Sequence, residues 1–209
     1  MNAPLPEPLP ADPLPIVERW LAEASKIHRS AAAMTLATVD PDGRPSARMV
    51  ICRGLDIDAG WLVFYSDRDS RKGLALAAHP RAALVFHWES LERQIRIDGP
   101  VTPAPDGQVD AYWASRPLDA RIAAIVSDQS RPIASRAALL ARVDETTRRL
   151  GEAAPRPERW VGYRVWAETV ELWLGQPARV HDRALWTRAL TSVAGGFIGG
   201  AWRATRLQP

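Results

Sequence analysis

Met34-Thr35-Leu36-Ala37-Thr38-Val39, followed by Asp40-Pro41-Asp42-Gly43, is the stretch that decides the fold. The first six residues change character with a period of two, the pattern of a half-buried strand. The next four are a tight-turn sequence. Proline presets φ, aspartate bonds back to nearby amides, and glycine accepts a left-handed backbone. A strand ending in so short a connection returns antiparallel. Working outward, strands are predicted over 44–54 and, after Asp58-Ala59-Gly60, over 61–66. Ser70 is placed to cap a short helix over 71–78 that stops at His79-Pro80.

Two more strands are predicted over 81–88 and 92–102. The second sets Glu92, Gln94, Arg96 and Asp98 on one face, against Arg93, Ile95 and Ile97 on the other. A polar face on an interior strand needs solvent, a ligand or another subunit. Helices are expected over 106–115, 117–126 and 135–150, the last burying Ala137, Leu140, Val143 and Leu150. After a linker at 155–157 come strands over 160–166, 169–174 and 179–188, a glycine-rich hairpin connection over 194–200, and a terminal strand over 201–207. Upstream, six prolines in residues 1–15 predict a flexible arm, and 16–209 reads as a single domain. Asp12 is expected to cap a first helix running to about Lys26, with Ile16, Trp20, Leu21 and Ala24 inward. Seven or eight antiparallel strands with inserted helices make an α+β, mainly β, barrel-like domain, because closure removes exposed edges. The alternation of strand and crossover helix that a doubly wound sheet needs is missing.

Composition narrows the function. The chain has 209 residues, 46% hydrophobic and 24% charged, and no apolar run near the roughly 20 residues that cross a bilayer. Without a secretory signal pattern, and with Cys52 as the single cysteine, a cytoplasmic protein is expected. Net charge is +3, and only Lys26 and Lys72 among the 27 basic residues are lysines. The basic residues form no run and match no nucleic-acid-binding motif, so neither nucleic acid nor membrane is an expected partner. No phosphate loop or dinucleotide-binding glycine motif occurs, since Gly195-Gly196-Phe197-Ile198-Gly199-Gly200 has the wrong spacing. His28, His79, His87 and His181 do not pair at metal-ligand spacing, so no metal is expected.

Some segments do carry chemistry. Ser70-Arg71-Lys72-Gly73 stands where a strand hands over to a helix, and helix-end amides beside two cations suit a phosphate. Tyr112 and Arg116 share a helical face and suit a second anion or a surface cation–π contact. Arg179, His181 and Arg183, in an extended backbone, would point to one side and suit an anion or a polar ring.

These segments, with Arg48-Met49-Val50, Tyr65-Ser66, Leu91-Glu92-Arg93-Gln94, Ser115-Arg116-Pro117, Ser127-Asp128-Gln129-Ser130, Glu171-Leu172-Trp173 and the ending Arg206-Leu207-Gln208-Pro209, resemble the pyridoxamine 5′-phosphate oxidase family over nearly the whole chain from Asp12. The resemblance implies an antiparallel split β-barrel, homodimeric, with FMN in clefts between subunits. It implies FMN contacts from Arg48, Tyr65, Ser66, Arg71, Lys72, Gln94, Gln129, Ser130, Trp173 and Arg183. The positions that would hold the substrate phosphate are Arg53, Tyr112, Arg116 and Ala120, and Arg179 and His181 would meet the reacting part of the substrate as its catalytic pair. The implied reaction oxidises the 4′ amine or alcohol of a phosphorylated pyridine, with O₂ as acceptor and H₂O₂ released. Arg53 and Ala120 depart from the lysine and serine of the family pattern, and the arm lacks the family's arginine and tyrosine. All these departures fall on the substrate side. They keep open the similar FMN-dependent oxidases of phenazine biosynthesis, which act on reduced tricyclic acids, and a third reading as a flavin or haem carrier without turnover.

Overall fold

The computed structural model describes residues 3–151 and 153–209. Strands β1 (Ala33–Val39) and β2 (Pro45–Ile51) pair antiparallel in register Leu36 opposite Arg48, and the intervening turn closes through Gly43 N–H on the Asp40 carbonyl at 2.8 Å. Next come β3 (Gly54–Asp56), β4 (Trp61–Asp67), helix α2 (Arg71–Ala78), β5 (Arg81–Trp88) and β6 (Arg93–Pro103). Helix α1 (Leu14–Ser25) precedes them, and α3 (Asp106–Ser115), α4 (Leu118–Val126) and α5 (Arg136–Leu150) follow. Strands β7 (Trp160–Trp166), β8 (Thr169–Leu174), β9 (Asp182–Thr187) and β12 (Arg203–Leu207) complete the main sheet, while β10 (Leu190–Val193) and β11 (Gly196–Gly199) form a separate hairpin.

The main sheet of ten strands runs β12-β9-β8-β6-β5-β1-β2 and curls because β6 serves two partners on one edge. Arg93–Asp98 pair with β8 and Val101–Pro103 with β7, which continues to β4 and β3. The Arg53 N–H donates to the Val63 carbonyl at 2.8 Å and draws the end of β2 back to β4. The result is an antiparallel split barrel filled by alternate residues such as Leu36, Phe64, Leu84, Phe86, Ile97 and Val170, all buried. Gly99 marks the point where β6 changes partners, and a Cβ there would lie 1.9 Å from the Trp166 carbonyl oxygen. Backbone cannot yield as a flexible side chain does. Gly99→Ala is therefore expected to cost at least about 2 kcal/mol, measured as a lowered midpoint in denaturant unfolding.

Four features differ from the sequence expectation. Twelve strands are present among the described residues rather than seven or eight, because short pieces such as β3, β10 and β11 pair locally. Helix α5 turns Leu139, Val143 and Leu150 inward and leaves Leu140 48% exposed, so its stripe is one residue out of phase at that turn. The strand predicted over 179–188 begins only at Asp182, since Pro177–Arg179 form a 3₁₀ turn. Of the arm, residues 3–13 have no helix or strand before α1, yet Leu5 is 4% exposed and the Trp186 indole donates to the Pro10 carbonyl at 2.8 Å.

Candidate functional site

The start of α2 is organised around Ser70 and Gly73. The Ser70 hydroxyl donates to the Asp67 carbonyl at 2.6 Å and accepts the Gly73 N–H at 3.3 Å, satisfying one of the helix's free amides. Glycine is required at 73, where a Cβ would meet the Arg68 carbonyl at 2.2 Å. This packing sets Lys72 inward, and its residue is only 9% exposed. The ammonium donates to Ser66 Oγ at 3.0 Å, Ser70 Oγ at 3.3 Å and Gln129 Oε1, all neutral acceptors. Burial, reinforced by the nearby Arg48 charge and only partly offset by Asp67, pulls its pKa down to about 8. A buried ammonium without a carboxylate against it is a site prepared for an anion.

Arg48 has the same character. It donates to the Leu36 carbonyl at 3.2 Å, Thr38 Oγ1 at 2.7 Å and Ser46 Oγ at 2.7 Å, and burial lowers its pKa. Arg71 is the exception. Its Nε and Nη2 hold Asp40 Oδ2 at 2.9 and 2.5 Å, while Asp40 Oδ1 is buried without a hydrogen-bond partner. Arg71 lines a neighbouring cavity of about 380 Å³ with Asp40 and Ser130, whose φ is 71°.

Lys72, Ser66 and Gln129 open on a cavity of about 210 Å³. Its opposite wall is Arg53, Tyr65, Tyr112 and Arg116. Tyr112 is the hub of that wall. Its ring stacks on Tyr65 at 3.9 Å, and the guanidinium carbons of Arg53 and Arg116 each lie 5.8 Å from its centroid. Arg116 caps the end of α3 and donates to the Ala120 carbonyl at 2.8 Å, so position 120 holds Arg116 through its backbone and does not itself line the cavity. The cavity lining thus holds, among the described residues, three cationic side chains and no carboxylate. Among the described residues, neither Arg53, Lys72 nor Arg116 forms an ion pair.

A second group assembles elsewhere on the barrel. Gln94 on β6 lies opposite Trp173 on β8, which lies opposite Arg183 on β9. Residues directly opposite in antiparallel strands share a face, so the three form one contiguous row. Glu171, one rung along and nearly buried, fixes that row by accepting Arg183 Nη2 at 2.8 Å and Arg96 Nη1 at 3.0 Å. The His181 ring lies 4.7 Å from that of Trp173, and its Nδ1 accepts the Gln176 N–H at 3.2 Å, which leaves Nε2 as the proton-bearing nitrogen of the neutral ring. Arg179 is exposed and has φ 60°. The single extended face expected for Arg179, His181 and Arg183 is corrected: only Arg183 belongs to the strand, and a turn presents the other two.

The expected residues therefore fall into two groups, and no hydrogen bond, ion pair or ring contact joins them among the described residues. Asp40, Glu171 and Gln108 are supporting residues that the sequence reading missed. Gln108 accepts both Arg164 Nε and Nη2, at 2.9 and 2.5 Å, and bonds Tyr65 behind the cavity. Of these only Glu171 carried a signal, a carboxylate among the apolar residues of a buried strand.

Fold and cavity together define an antiparallel split-barrel protein with a preformed cavity lined by cationic side chains. Comparison with known proteins makes the class specific: the chain belongs to the pyridoxamine 5′-phosphate oxidase family. The family model described as pyridoxamine 5′-phosphate oxidase matches residues 21–149, and that of the pyridoxine 5′-phosphate oxidase C-terminal dimerisation region matches 160–209. The chain is 44% identical over 203 residues to a pyridoxine/pyridoxamine 5′-phosphate oxidase of Gluconobacter oxydans, covering 96% of each chain. It is 46% identical over 200 residues to one of Burkholderia orbicola, covering 95% of this chain and 89% of that one. Among solved structures it is similar to PhzG of Burkholderia lata in complex with tetrahydrophenazine-1-carboxylic acid, with TM-score 0.84, 32% identity and coverage of 96% and 94%.

Proposed function

We propose that this protein is an FMN-dependent oxidase that converts pyridoxamine or pyridoxine 5′-phosphate to pyridoxal 5′-phosphate, working in the cytoplasm as a homodimer. The observation that carries the reading is the pair of carboxylate-free cation clusters on one cavity, Lys72 with Arg48 behind it and Arg53 with Arg116 about Tyr112. Two phosphorylated ligands, cofactor and substrate, account for both. The donor set also fits FMN. Lys72, Arg71, Arg48, Ser66, Gln129 and Ser130 suit its phosphate and tail, Tyr65 adds an aromatic contact nearby, and Gln94, Trp173 and Arg183 suit a planar polar ring system. No contact joins the two groups within one chain among the described residues, and a site completed by a second copy would bring them together, in keeping with the matched dimerisation region. The buried, unpaired Cys52 fits a reducing compartment.

When bound, FMN supplies a two-electron acceptor that O₂ returns to its oxidised state. An alcohol substrate and O₂ give aldehyde and H₂O₂; an amine substrate with O₂ and water gives aldehyde, ammonia and H₂O₂. The chain's part is position and charge. Arg53, Tyr112 and Arg116 hold the substrate phosphate. Arg179 places a positive charge near the reacting ring, where it would stabilise the negative charge that develops as electrons pass to the acceptor, and His181, its Nδ1 occupied by Gln176, offers Nε2–H to orient the substrate. Neither residue is assigned as an obligatory base.

The direct test is aerobic turnover of pyridoxine 5′-phosphate, read as aldehyde absorbance and peroxide. Arg116→Ala is expected to raise KM about 10- to 100-fold with little change in kcat, as one charge-assisted phosphate contact is lost. An unchanged KM would favour the second reading, a dihydrophenazine-type tricyclic acid as substrate. The likeness to PhzG, together with the departures from the family pattern at Arg53 and Ala120, supports that alternative.

The Lys72 pKa of about 8 gives a pH dependence. Phosphate binding needs the ammonium form, and the free protein loses that proton as pH rises through 8. FMN affinity is expected to hold between pH 7 and 8 and then fall by up to about tenfold per pH unit, measured by flavin fluorescence quenching. A flat profile from pH 7 to 10 would remove Lys72 from the phosphate site.

A further inference from the structure

The turn that presents Arg179 is strained and is held from outside. Ala178 and Arg179 have φ 56° and 60°, two consecutive non-glycine residues in the left-handed region. Such a conformation persists only where neighbours over-determine it. Within the turn, the hydrogen bond from Gln176 N–H to His181 Nδ1 is one constraint. The other lies at Asp182, the first residue of β9, whose carboxylate receives both ends of the chain. Oδ2 accepts the Leu5 N–H of the N-terminal arm at 2.7 Å, and Oδ1 is paired with Arg206 of β12. Arg206 in turn donates to the carbonyls of Leu5 and Pro6 at 3.2 and 2.9 Å and to Glu7 Oε2 at 2.9 Å. Leu5 is buried at the centre of these contacts, and Arg183 Nη1 donates to the Gln208 carbonyl at 2.9 Å on the next residue along.

We infer that Asp182 and Arg206 are positioning residues: with the N-terminal arm they form a clasp that holds the Ala178–Arg179 turn in its strained form and so sets where Arg179 and His181 stand. The residue between His181 and Arg183 thereby makes the proline-rich arm part of the working site, though none of the arm's described residues lines the cation-lined cavity. The inference rests on the proposed function for its kinetic arm alone.

The test uses the flavin-loaded dimer in wild-type, Asp182→Ala, Arg206→Gln and Asp182→Ala/Ala178→Gly forms. Amide hydrogen exchange over residues 176–183 is expected to quicken about tenfold or more in the two single variants. Turnover of pyridoxine 5′-phosphate is expected to fall about tenfold in kcat with KM within about twofold, because phosphate contacts are untouched. Flavin content should stay near wild type, and the melting midpoint should fall by no more than a few degrees, as expected for loss of one ion pair. Glycine is at ease in the left-handed region, so adding Ala178→Gly should recover part of the lost kcat, which a general loss of stability would not allow. Unchanged exchange over 176–183 in Asp182→Ala, or no recovery from Ala178→Gly, would overturn the clasp. If the wild-type dimer fails to oxidise pyridoxine 5′-phosphate, the functional reading falls, while the exchange comparison still decides the clasp.

Discussion

Replacing Arg71 and Lys72 together by alanine is expected to weaken FMN binding by about 100-fold or more while leaving riboflavin binding nearly unchanged. Each charge-assisted contact to a phosphate is worth about 1.5–3 kcal/mol, roughly a factor of ten to a hundred. The discrimination between the two flavins matters most, since riboflavin has the ring system and lacks the phosphate. Stability should respond in the opposite sense at the two positions. Lys72 is buried against neutral acceptors with its pKa drawn down, so the folded apoprotein bears a cost for its charge that Lys72→Ala removes. Arg71→Ala instead strips the partner from Asp40, whose side chain is 10% exposed and whose second oxygen already lacks a hydrogen bond. A Lys72→Ala apoprotein at least as stable as wild type, yet poor in FMN binding, is the combined result expected. Equal affinity for FMN in the double variant would refute the phosphate assignment.

Arg179→Ala is the second large effect. Its guanidinium is exposed on a turn and forms no ion pair among the described residues, so its removal breaks no structural interaction of the folded chain. In the proposed reaction it places a fixed positive charge where negative charge develops, and losing one such group typically slows a reaction about 100- to 1,000-fold. Flavin content should be retained, because the phosphate cluster lies on other elements, and KM should move less than kcat. A variant that keeps wild-type kcat would transfer the burden to His181 or to the flavin alone.

The barrel was legible because its strands alternate and its turns carry their own chemistry. The period of two from Met34 to Val39 and the Asp-Pro-Asp-Gly turn led to β1 and β2, and Ser70 led to the start of α2 at Arg71. Single-residue rules suffice there. The region from Pro177 to Val180 defeated the same reasoning. Alternation of Arg179, His181 and Arg183 imitates a strand, while the left-handed backbone at Ala178 and Arg179 stands beside Asp182, which the distant Leu5 N–H and Arg206 hold in place. In the same way Asp40 reads as a turn residue, and only the folded chain brings it to Arg71. Lys72 was expected at a phosphate, but its burial and lowered pKa arise from the packing of Ser66, Gln129 and Arg48 around it. The arm reads as flexible because proline-rich segments have no periodicity, and its anchoring on Asp182 and Arg206 is a tertiary matter.

The central claim is that one working site draws the Lys72 cluster from one copy and the Trp173–Arg183 row, with Arg179, from the other. The most direct measurement is subunit complementation, combining the Arg71→Ala/Lys72→Ala chain with the Arg179→Ala chain under conditions that allow dimers to re-form. Each variant alone is nearly inactive. Random pairing makes about half the dimers mixed, each with one site built wholly from intact residues, so recovery to roughly a quarter of wild-type turnover is predicted. No recovery above the separate variants, with mixed dimers demonstrably present, would contradict the account.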